Sequence, residues 1–561
     1  MPSEPPASAV DPAPPSLAPP SSVALLSVEL APLSISLSIA DTDPDTSPAV
    51  LAIRALDVAL PDGTVLVESA ELVLAAGQII SLLGPSGSGK STLLRALVAP
   101  DELRRHGYAV AFSERYLEAP VAFIPQRGAL FDHLDVAGNI ALAQAASGQP
   151  ADAVPWLIAV DLDTALARPG TSVATLSGGQ AQRVAVARTL AAGRTIIILD
   201  EPSVGLDPLG VRRLARLLVK QARERDVAIL VITHDLALAA GASDVVLFLD
   251  PSQQRLVNVL PDWAGPAELA TEGERRDDLS RLDAAVHALL DGAAPRLPTA
   301  LDRRRARRAA MPKGPGPLHI AGASILHALN PRLAGPSMGV LARAFKQSFL
   351  RPLPFYVVVG ALLGFTVLYI IAKMSVDLRA LSVLRLVGGT YILSLAPPLS
   401  AILFAATSGN AVNAWLGGMA LGRQILALDG IGVSAPRYLW SPAWLSLVIS
   451  YLATVVVFIA SMVLGGYCLF QLHGGKHALA ILTSDFVDPA PGRGPYLVRG
   501  VWLTVSYAIA IATIVVGSGV APKDEAAHVT SAMTSAVVRT TLFVVAMELA
   551  SIIVLFAVVG R

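Results

Sequence analysis

Residues 79–92 read IISLLGPSGSGKST, and this stretch decides the fold of the first half of the chain. Ile79–Leu83 is an apolar run typical of a buried strand, and a helical pattern begins at Thr92. The loop between them has the form G-x-x-x-x-G-K-[ST], whose glycines let backbone N–H groups close round phosphate oxygens. The positive end of the following helix adds to the attraction for an anion. The stretch therefore predicts a nucleotide phosphate-binding loop in an α/β domain.

The side chains of this loop have separate expected roles. Lys90 is expected to reach the β- and γ-phosphates of the nucleotide, and Ser91 to ligate Mg²⁺. The residues expected to contact the nucleotide are Gly84, Pro85, Ser86, Gly87, Ser88, Gly89, Lys90, Ser91 and Thr92.

Short β-branched runs alternate with helical patterns over residues 51–260. Further strands are expected at Val121–Ile124, Thr195–Leu199 and Val227–Ile232. This alternation predicts a largely parallel sheet with helices packed on its faces.

An acidic pair, Asp200 and Glu201, follows the apolar run Ile196–Leu199. A buried parallel strand presents such carboxylates at its carboxyl end, where α/β domains bind their ligands. We expect Asp200 to hold Mg²⁺ through water and Glu201 to polarise the attacking water. The alternative for an acidic pair at a strand end is capping of the next helix.

A third motif, Leu176-Ser-Gly-Gly-Gln180, precedes the helical pattern Ala181–Leu190. Alone, it is also typical of a turn followed by a helix N-cap. Together with the two motifs above, it resembles the signature motif of ABC transporter ATPases, and the resemblance runs in the right order over residues 51–260.

The resemblance to the ABC ATPases implies ATP and Mg²⁺ as cofactors and adds further site residues. Gln126 matches the loop glutamine that senses the γ-phosphate, contributes to the metal site and contacts the permease. Asp207 matches the D-loop aspartate, and His234 the switch histidine. The catalytic residues that the resemblance implies are Glu201, His234 and Gln126. No aromatic residue stands near Leu60–Gly63, where the family often stacks one on adenine.

In this family the signature loop caps ATP that is bound to the opposite subunit. The matching residues are Ser177, Gly178, Gly179 and Gln180. The resemblance therefore implies a homodimer in which two ATPase domains close head to tail round two nucleotides.

The composition indicates membrane segments in the rest of the chain. Of the 561 residues, 53% are hydrophobic and only 15% are charged, and the mean hydropathy is +0.58. These values are too apolar for an ordinary soluble protein. The 43 basic and 43 acidic residues balance, which gives no reason to expect nucleic acid as a partner. The single cysteine, Cys468, excludes an intramolecular disulfide and a multi-cysteine zinc site.

The chain divides into four predicted regions. Residues 1–50 are rich in proline and serine and are expected to be a disordered N-terminus, without the basic segment of a signal peptide. The ATPase domain follows at 51–260, and a charged linker at 261–335. The Arg303–Arg308 cluster in the linker suits either anionic lipid headgroups or a solvated tether. Residues 336–561 form the predicted transmembrane domain.

The transmembrane domain is predicted to be all-α. Leu341–Leu350 is expected to be an interfacial helix. Arg343, Lys346 and Arg351 favour a cytoplasmic start. Five spans are expected at about 355–372, 386–408, 443–470, 498–519 and 536–559. Pro397–Pro398 interrupts the second, which is tolerable where neighbouring helices satisfy the freed backbone groups.

Residues 395–438 resemble the permeases of the Mla-type lipid transporters, known as MlaE. The counterparts of the family's cytoplasmic segment are Arg423–Val433 and Arg437–Leu439. Arg423 and Leu426 stand where the family has glutamate and aspartate. Ala526–Val538 is similar to the family's short helix before its last span.

The resemblance implies a multi-pass transporter of phospholipid or another hydrophobic molecule in the bacterial inner membrane, with its ATPase domain in the cytoplasm. The implied partners are a second copy of the chain, an MCE-type substrate-binding protein and, in some members, a small cytoplasmic regulator. The alternatives are an ABC exporter of a drug-like or glycan substrate and an ABC mechanotransmitter that regulates a partner without transport.

Two features of the membrane half have a functional and a plainer interpretation. Gln424–Gly432 is either the segment that couples the permease to the ATPase near Gln126 or an ordinary connecting loop. Glu548 lies deep in the last span, where an acid is costly, and is either functional or a protonated or hydrated structural residue.

Overall fold

The computed structural model describes residues 48–85, 87–98, 100–105, 107–126, 130–261, 263, 272–292, 319, 322–323, 337–374, 392–472, 494–523 and 525–559. Nearly all of the predicted disordered N-terminus, the Arg303–Arg308 cluster and Ser86 lie outside these residues.

The first half of the chain is an α/β domain, as predicted. In chain order its elements are β1 (Ala49–Ala59), β2 (Val65–Ala75), β3 (Ile79–Leu83), α1 (Lys90–Val98), α2 (Pro100–Arg105), β4 (Ala109–Ala111), β5 (Glu114–Leu117), β6 (Val121–Ile124), α3 (Val136–Ala146), α4 (Val154–Ala159), α5 (Gly178–Ala191), β7 (Ile196–Asp200), α6 (Pro208–Arg225), β8 (Ala228–Ile232), α7 (Leu236–Ala242), β9 (Val245–Asp250), β10 (Arg255–Asn258) and α8 (Glu272–Gly292).

A six-stranded sheet in the order β10-β9-β3-β8-β7-β6 forms the centre of this domain. Its pairs are parallel except for the edge pair β9–β10. The strands β3, β7 and β8 are buried along their whole length, which explains why they are continuous apolar runs. Because these strands are parallel, the carboxyl ends of β3, β8, β7 and β6 lie side by side at one edge.

Alternate residues of one strand pack into different cores. Ile196 and Ile198 of β7 pack with α1 and the antiparallel sheet β2-β1-β4, to which β5 also pairs through β1. Ile197 and Leu199 pack on the opposite face, against α3, α5 and α6. The central sheet is therefore covered on both sides, which fixes the strand ends that carry the functional loops.

Part of the predicted linker is a helix that packs on the ATPase domain. Leu282 and Val286 of α8 are buried against Ala239 of α7 and Phe248 of β9. The predicted linker therefore contains a helix with a defined docking face.

The second half consists of helices. In chain order they are α9 (Ser337–Phe345), α10 (Leu353–Met374), α11 (Ile392–Phe404), α12 (Asn410–Leu421), α13 (Gln424–Gly430), α14 (Ser441–Leu472), α15 (Gly494–Val520) and α16 (Ala526–Val559), with π-helical turns at Lys346–Leu350, Ala405–Gly409 and Pro436–Trp440.

Within the described residues, five helical stretches are long and apolar enough to cross a membrane, as predicted. We name them spans 1 to 5: Ser337–Ile370, Ser394–Leu421, Pro436–Leu469, Val498–Val520 and Ala526–Val554. The predicted helix at Leu341–Leu350 is therefore continuous with span 1, and its position in a membrane interface stays a prediction.

Several predicted span limits are wrong. Span 2 continues beyond residue 408, because a polar residue past that point finds a partner inside the bundle: Asn413 Nδ2 donates to Ser518 Oγ of span 4 at 2.7 Å. Span 5 begins at Ala526, so the expected separate short helix before it is the first part of one long helix.

Two local features hold the spans together. Pro397 and Pro398 lie inside α11, and the hydroxyl of Tyr451 in span 3 donates to Pro397 O at 2.9 Å. Spans 1 and 3 touch through their backbones, since a methyl group placed on Gly364 would overlap the carbonyl oxygen of Met462. Small residues permit such close approach of helices in membranes.

Candidate functional site

The predicted nucleotide-site residues meet at the carboxyl edge of the central sheet. The phosphate-binding loop follows β3, His234 follows β8, Asp200 and Glu201 end β7, and Gln126 follows β6. These four strands are neighbours in the sheet, so residues far apart in sequence are brought into one cleft.

The phosphate-binding loop has a backbone that requires glycine. Gly84, Gly87 and Gly89 have φ values of 149°, 86° and 102°, which side chains rarely tolerate. A methyl group on Gly84 would also lie 3.1 Å from Leu249 O. Helix α1 then begins at Lys90, so its first N–H groups face the loop.

The polar groups of this loop fit a bound triphosphate. Lys90 is buried, and its Nζ donates to the carbonyls of Gly84 and Pro85 at 2.7 and 3.0 Å. Burial lowers the pKa of Lys90, and the nearby Glu201 and Asp200 oppose that shift. The hydroxyl of Ser88 is buried without a hydrogen-bond partner in the described residues. Such a donor suits a phosphate oxygen, because a buried polar group is costly when unpaired.

The acidic pair is held in a defined geometry. Asp200 is 5% exposed. Glu201 has a left-handed backbone with φ 51°, and its N–H donates to Ile232 O of the neighbouring strand at 2.7 Å. Its Oε2 lies 2.6 Å from Nδ1 of His234, whose side chain is largely exposed. Non-glycine residues in this region are uncommon and cluster at functional sites.

The geometry pairs Glu201 with His234 and buries Asp200 beside the phosphate-binding loop. The expected roles of Asp200 and Ser91 as Mg²⁺ ligands and of Glu201 as the base that takes a proton from water stay predictions. The exposed Gln126 lies at the far side of the cleft.

The signature segment forms the N-terminal cap of α5, next to the start of α6. Ser177 caps α5 in a capping box with Gln180: Ser177 N donates to Gln180 Oε1 at 2.9 Å, and Gln180 N to Ser177 Oγ at 3.3 Å. A methyl group on Gly179 would lie 3.3 Å from Leu206, next to Asp207, which caps α6. No hydrogen bond or ion pair joins Ser177–Gln180 to that loop in the described part of the chain.

The permease half docks on the ATPase domain through α13, which packs on β6. Gln424 Nε2 donates to Leu130 O at 2.9 Å, and a methyl group on Gly430 would lie 2.9 Å from Phe123 N. The predicted coupling segment therefore lies on the strand that leads to Gln126. At its start, Arg423 Nη1 donates to Asp200 Oδ2 at 2.8 Å.

Sequence reasoning missed a second group of residues in this contact. His133 Nε2 and the Tyr438 hydroxyl are hydrogen-bonded at 2.7 Å. Arg343 Nη2 donates to Asp132 at 3.2 Å, and its guanidinium lies 5.3 Å from the centre of the Trp415 ring. Burial lowers the pKa of His133 to about 4, so the imidazole is neutral at physiological pH. Arg343, which in the sequence only favoured a cytoplasmic start, thus binds the ATPase domain.

Gly430→Ala is expected to destabilise the docked arrangement by about 1–3 kcal/mol, because the new methyl group must displace the backbone of Phe123. The measurement is thermal unfolding of the full chain in detergent. Gly339→Ala is the matched control, since a methyl group there meets no atom within 4 Å. Equal melting temperatures for both variants would contradict the tight contact.

Comparison with known proteins agrees with this geometry. A family model described as ABC transporter matches residues 67–204, and one described as Permease MlaE matches residues 341–554. The aliphatic sulfonates import ATP-binding protein SsuB 1 of Xanthomonas axonopodis pv. citri is 37% identical over 237 residues, which cover 39% of this chain and 89% of that protein. Protein STAR1 of Oryza sativa subsp. japonica is 33% identical over 217 residues, which cover 37% of this chain and 60% of that protein.

Two solved structures show the extent of the similarity. The dimeric structure of a bacterial ABC transporter cassette is 24% identical, with a TM-score of 0.31, and the similarity covers 37% of this chain and 96% of that one. An ATP-binding subunit of an ABC transporter is 23% identical, with a TM-score of 0.33, and the similarity covers 44% of this chain and 100% of that one. The chain therefore belongs to the ABC transporters, and it joins an ATPase domain of that family to an MlaE-type permease domain, with ATP hydrolysis coupled to transport.

Proposed function

We propose that the chain moves a phospholipid or another hydrophobic molecule at the bacterial inner membrane, with its ATPase domain in the cytoplasm. The observation that carries this proposal is the match of residues 341–554 to the MlaE permeases. The working unit is a homodimer, the resident ligand is Mg·ATP, and an MCE-type protein supplies or receives the substrate. A small cytoplasmic regulator is a further expected partner.

The position of the signature segment supports the homodimer. Ser177 and Gly178 are exposed, and the Nζ of Lys90 in the same chain donates to Gly84 and Pro85 instead of contacting them. A second ATPase domain placed head to tail completes the site, because its signature helix then directs N–H groups at the γ-phosphate. ATP closes this dimer and hydrolysis reopens it, which moves the docked permease.

A polar cavity between spans 1 and 2 supports a lipid with an anionic headgroup. Its volume is about 410 Å³, and its lining residues are Gln347, Arg351, Pro352, Thr407, Ser408 and Ala411. The buried Tyr356 hydroxyl is hydrogen-bonded to Thr407 Oγ1 at 2.7 Å and Ser408 Oγ at 2.6 Å. A cation beside hydroxyl groups suits a phosphate ester, and the surrounding apolar helices suit acyl chains.

The test is mass spectrometry of lipids that co-purify with the full chain, compared with the bulk membrane. We expect one anionic lipid class to be enriched, and Arg351→Gln to reduce the enrichment. Lys346→Gln is the matched control, since it removes a cation of the same helical stretch that does not line the cavity. Bulk-like lipid in all three proteins would contradict the proposal and favour the exporter or the mechanotransmitter.

A further inference from the structure

Arg423 connects the permease directly to the acidic pair of the ATPase site. It lies between α12, which ends at Leu421, and the docking helix α13, which begins at Gln424. Its Nη1 donates to Asp200 Oδ2 at 2.8 Å, and the side chain of Asp200 is 7% exposed. The contact joins residues 223 positions apart in sequence.

The backbone of Arg423 is unusual for its residue type. Its φ of 56° is in the left-handed region, which at helix ends is normally occupied by glycine or asparagine. The neighbouring Gly422 has a φ of −75°. The left-handed conformation is therefore adopted by the arginine and not by the adjacent glycine. A conformation of this kind persists only where its surroundings impose it.

The environment of Asp200 explains why a cation binds there. Burial raises the pKa of Asp200, and Arg423, Lys90 and Arg95 oppose that shift. A buried carboxylate requires a positive partner. The partner expected during catalysis is Mg²⁺. A guanidinium and a divalent cation that contact the same carboxylate are close together and repel each other.

We propose that Arg423 and Mg·ATP compete for Asp200, so that the permease senses the metal site directly through this arginine. Binding of Mg·ATP releases Arg423 and loosens the start of the docking helix. By reciprocity, the Arg423–Asp200 ion pair weakens Mg·ATP binding. Arg423 acts through Asp200 and is a positioning residue. This inference concerns the ATPase half and holds whichever molecule the permease moves.

The test is ATP binding to the full chain in the Glu201→Gln background, with Mg²⁺ and with EDTA. Arg423→Gln is expected to lower the Kd for Mg·ATP about tenfold, within the range of typical coupling, and to leave the Kd for metal-free ATP unchanged or higher. Arg423→Lys, which keeps the charge, is expected to restore most of the wild-type ratio of the two values.

Arg343→Ala is the matched control, because it removes an ion pair between the same two halves, at 3.2 Å from Asp132, away from the nucleotide. It is expected to leave the ratio of the two Kd values unchanged. Hydrogen exchange of residues 424–430 gives a second readout: Mg·ATP, but not metal-free ATP, is expected to raise exchange unless Arg423 is neutralised.

A merely structural role for Arg423 predicts different results. Both Kd values would then change together, or the arginine and control variants would behave alike. If Arg423→Gln fails to fold, the hydrogen exchange of the unsubstituted chain decides: equal exchange with Mg·ATP and metal-free ATP overturns the proposal.

Discussion

Glu201→Gln is expected to lower ATP turnover by about 10³-fold while ATP binding is preserved, because an amide cannot accept a proton from the attacking water. Glu201 directly follows the strand that ends in Asp200, and its Oε2 lies 2.6 Å from His234 Nδ1. The phosphate-binding loop is unchanged by the substitution. The measurements are phosphate release under saturating ATP and the Kd of ATP.

A control variant at Glu68 and a variant of His234 test this prediction further. Glu68→Gln makes the same chemical change at an exposed position outside the cleft and should keep full turnover. His234→Ala should also lower turnover, and adding it to Glu201→Gln should have little further effect, since residues that act as one unit are not additive. Full activity of Glu201→Gln would overturn the assignment of the base.

The parts of the site predicted from the sequence are those that local backbone geometry dictates. The loop from Gly84 to Ser91 needs left-handed glycines at fixed spacing, and Asp200 and Glu201 must follow a buried strand. These requirements act over a few residues and leave a readable pattern. The alternation of short strands with helical patterns predicted the parallel sheet for the same reason.

The contacts between the two halves left no such pattern. The pairs Arg423–Asp200, Tyr438–His133 and Arg343–Asp132 each join residues more than 200 positions apart. Arg423 was visible only as a departure from the acidic residue of the resembled permeases. A side chain's partner across a tertiary interface depends on docking geometry, which the spacing of residues in one sequence does not encode.

The partner of Glu548 in the membrane half was missed because it, too, lies across a tertiary contact. Arg539, nine residues earlier in the same helix, is too far along it to pair with Glu548, so sequence left functional and structural interpretations open. The structure supplies a partner from the preceding span: Arg499 Nη2 forms an ion pair with Glu548 Oε2. The Tyr507 hydroxyl donates to Glu548 Oε1 at 2.8 Å, and Arg499 Nε to Ser551 Oγ at 2.9 Å.

Arg499→Ala is expected to destabilise the membrane half by about 3–5 kcal/mol, because it leaves the Glu548 carboxylate without its cation between two helices. The side chains of Arg499 and Glu548 are only 11% and 20% exposed, so water screens the pair little. Thermal or denaturant unfolding in detergent measures the loss. Arg539→Ala removes an exposed arginine from span 5 and should change stability by no more than about 0.5 kcal/mol.

Replacing both partners separates the two interpretations of Glu548. The double variant Arg499→Leu with Glu548→Leu should regain most of the stability, since exchanging a buried ion pair for packed apolar side chains is often neutral. If this stable double variant transports normally, the pair has a structural role only. If it folds but loses transport, the ion pair between spans 4 and 5 acts in the transport cycle, because lost stability no longer explains the defect. A double variant as unstable as Arg499→Ala would contradict the pairing itself.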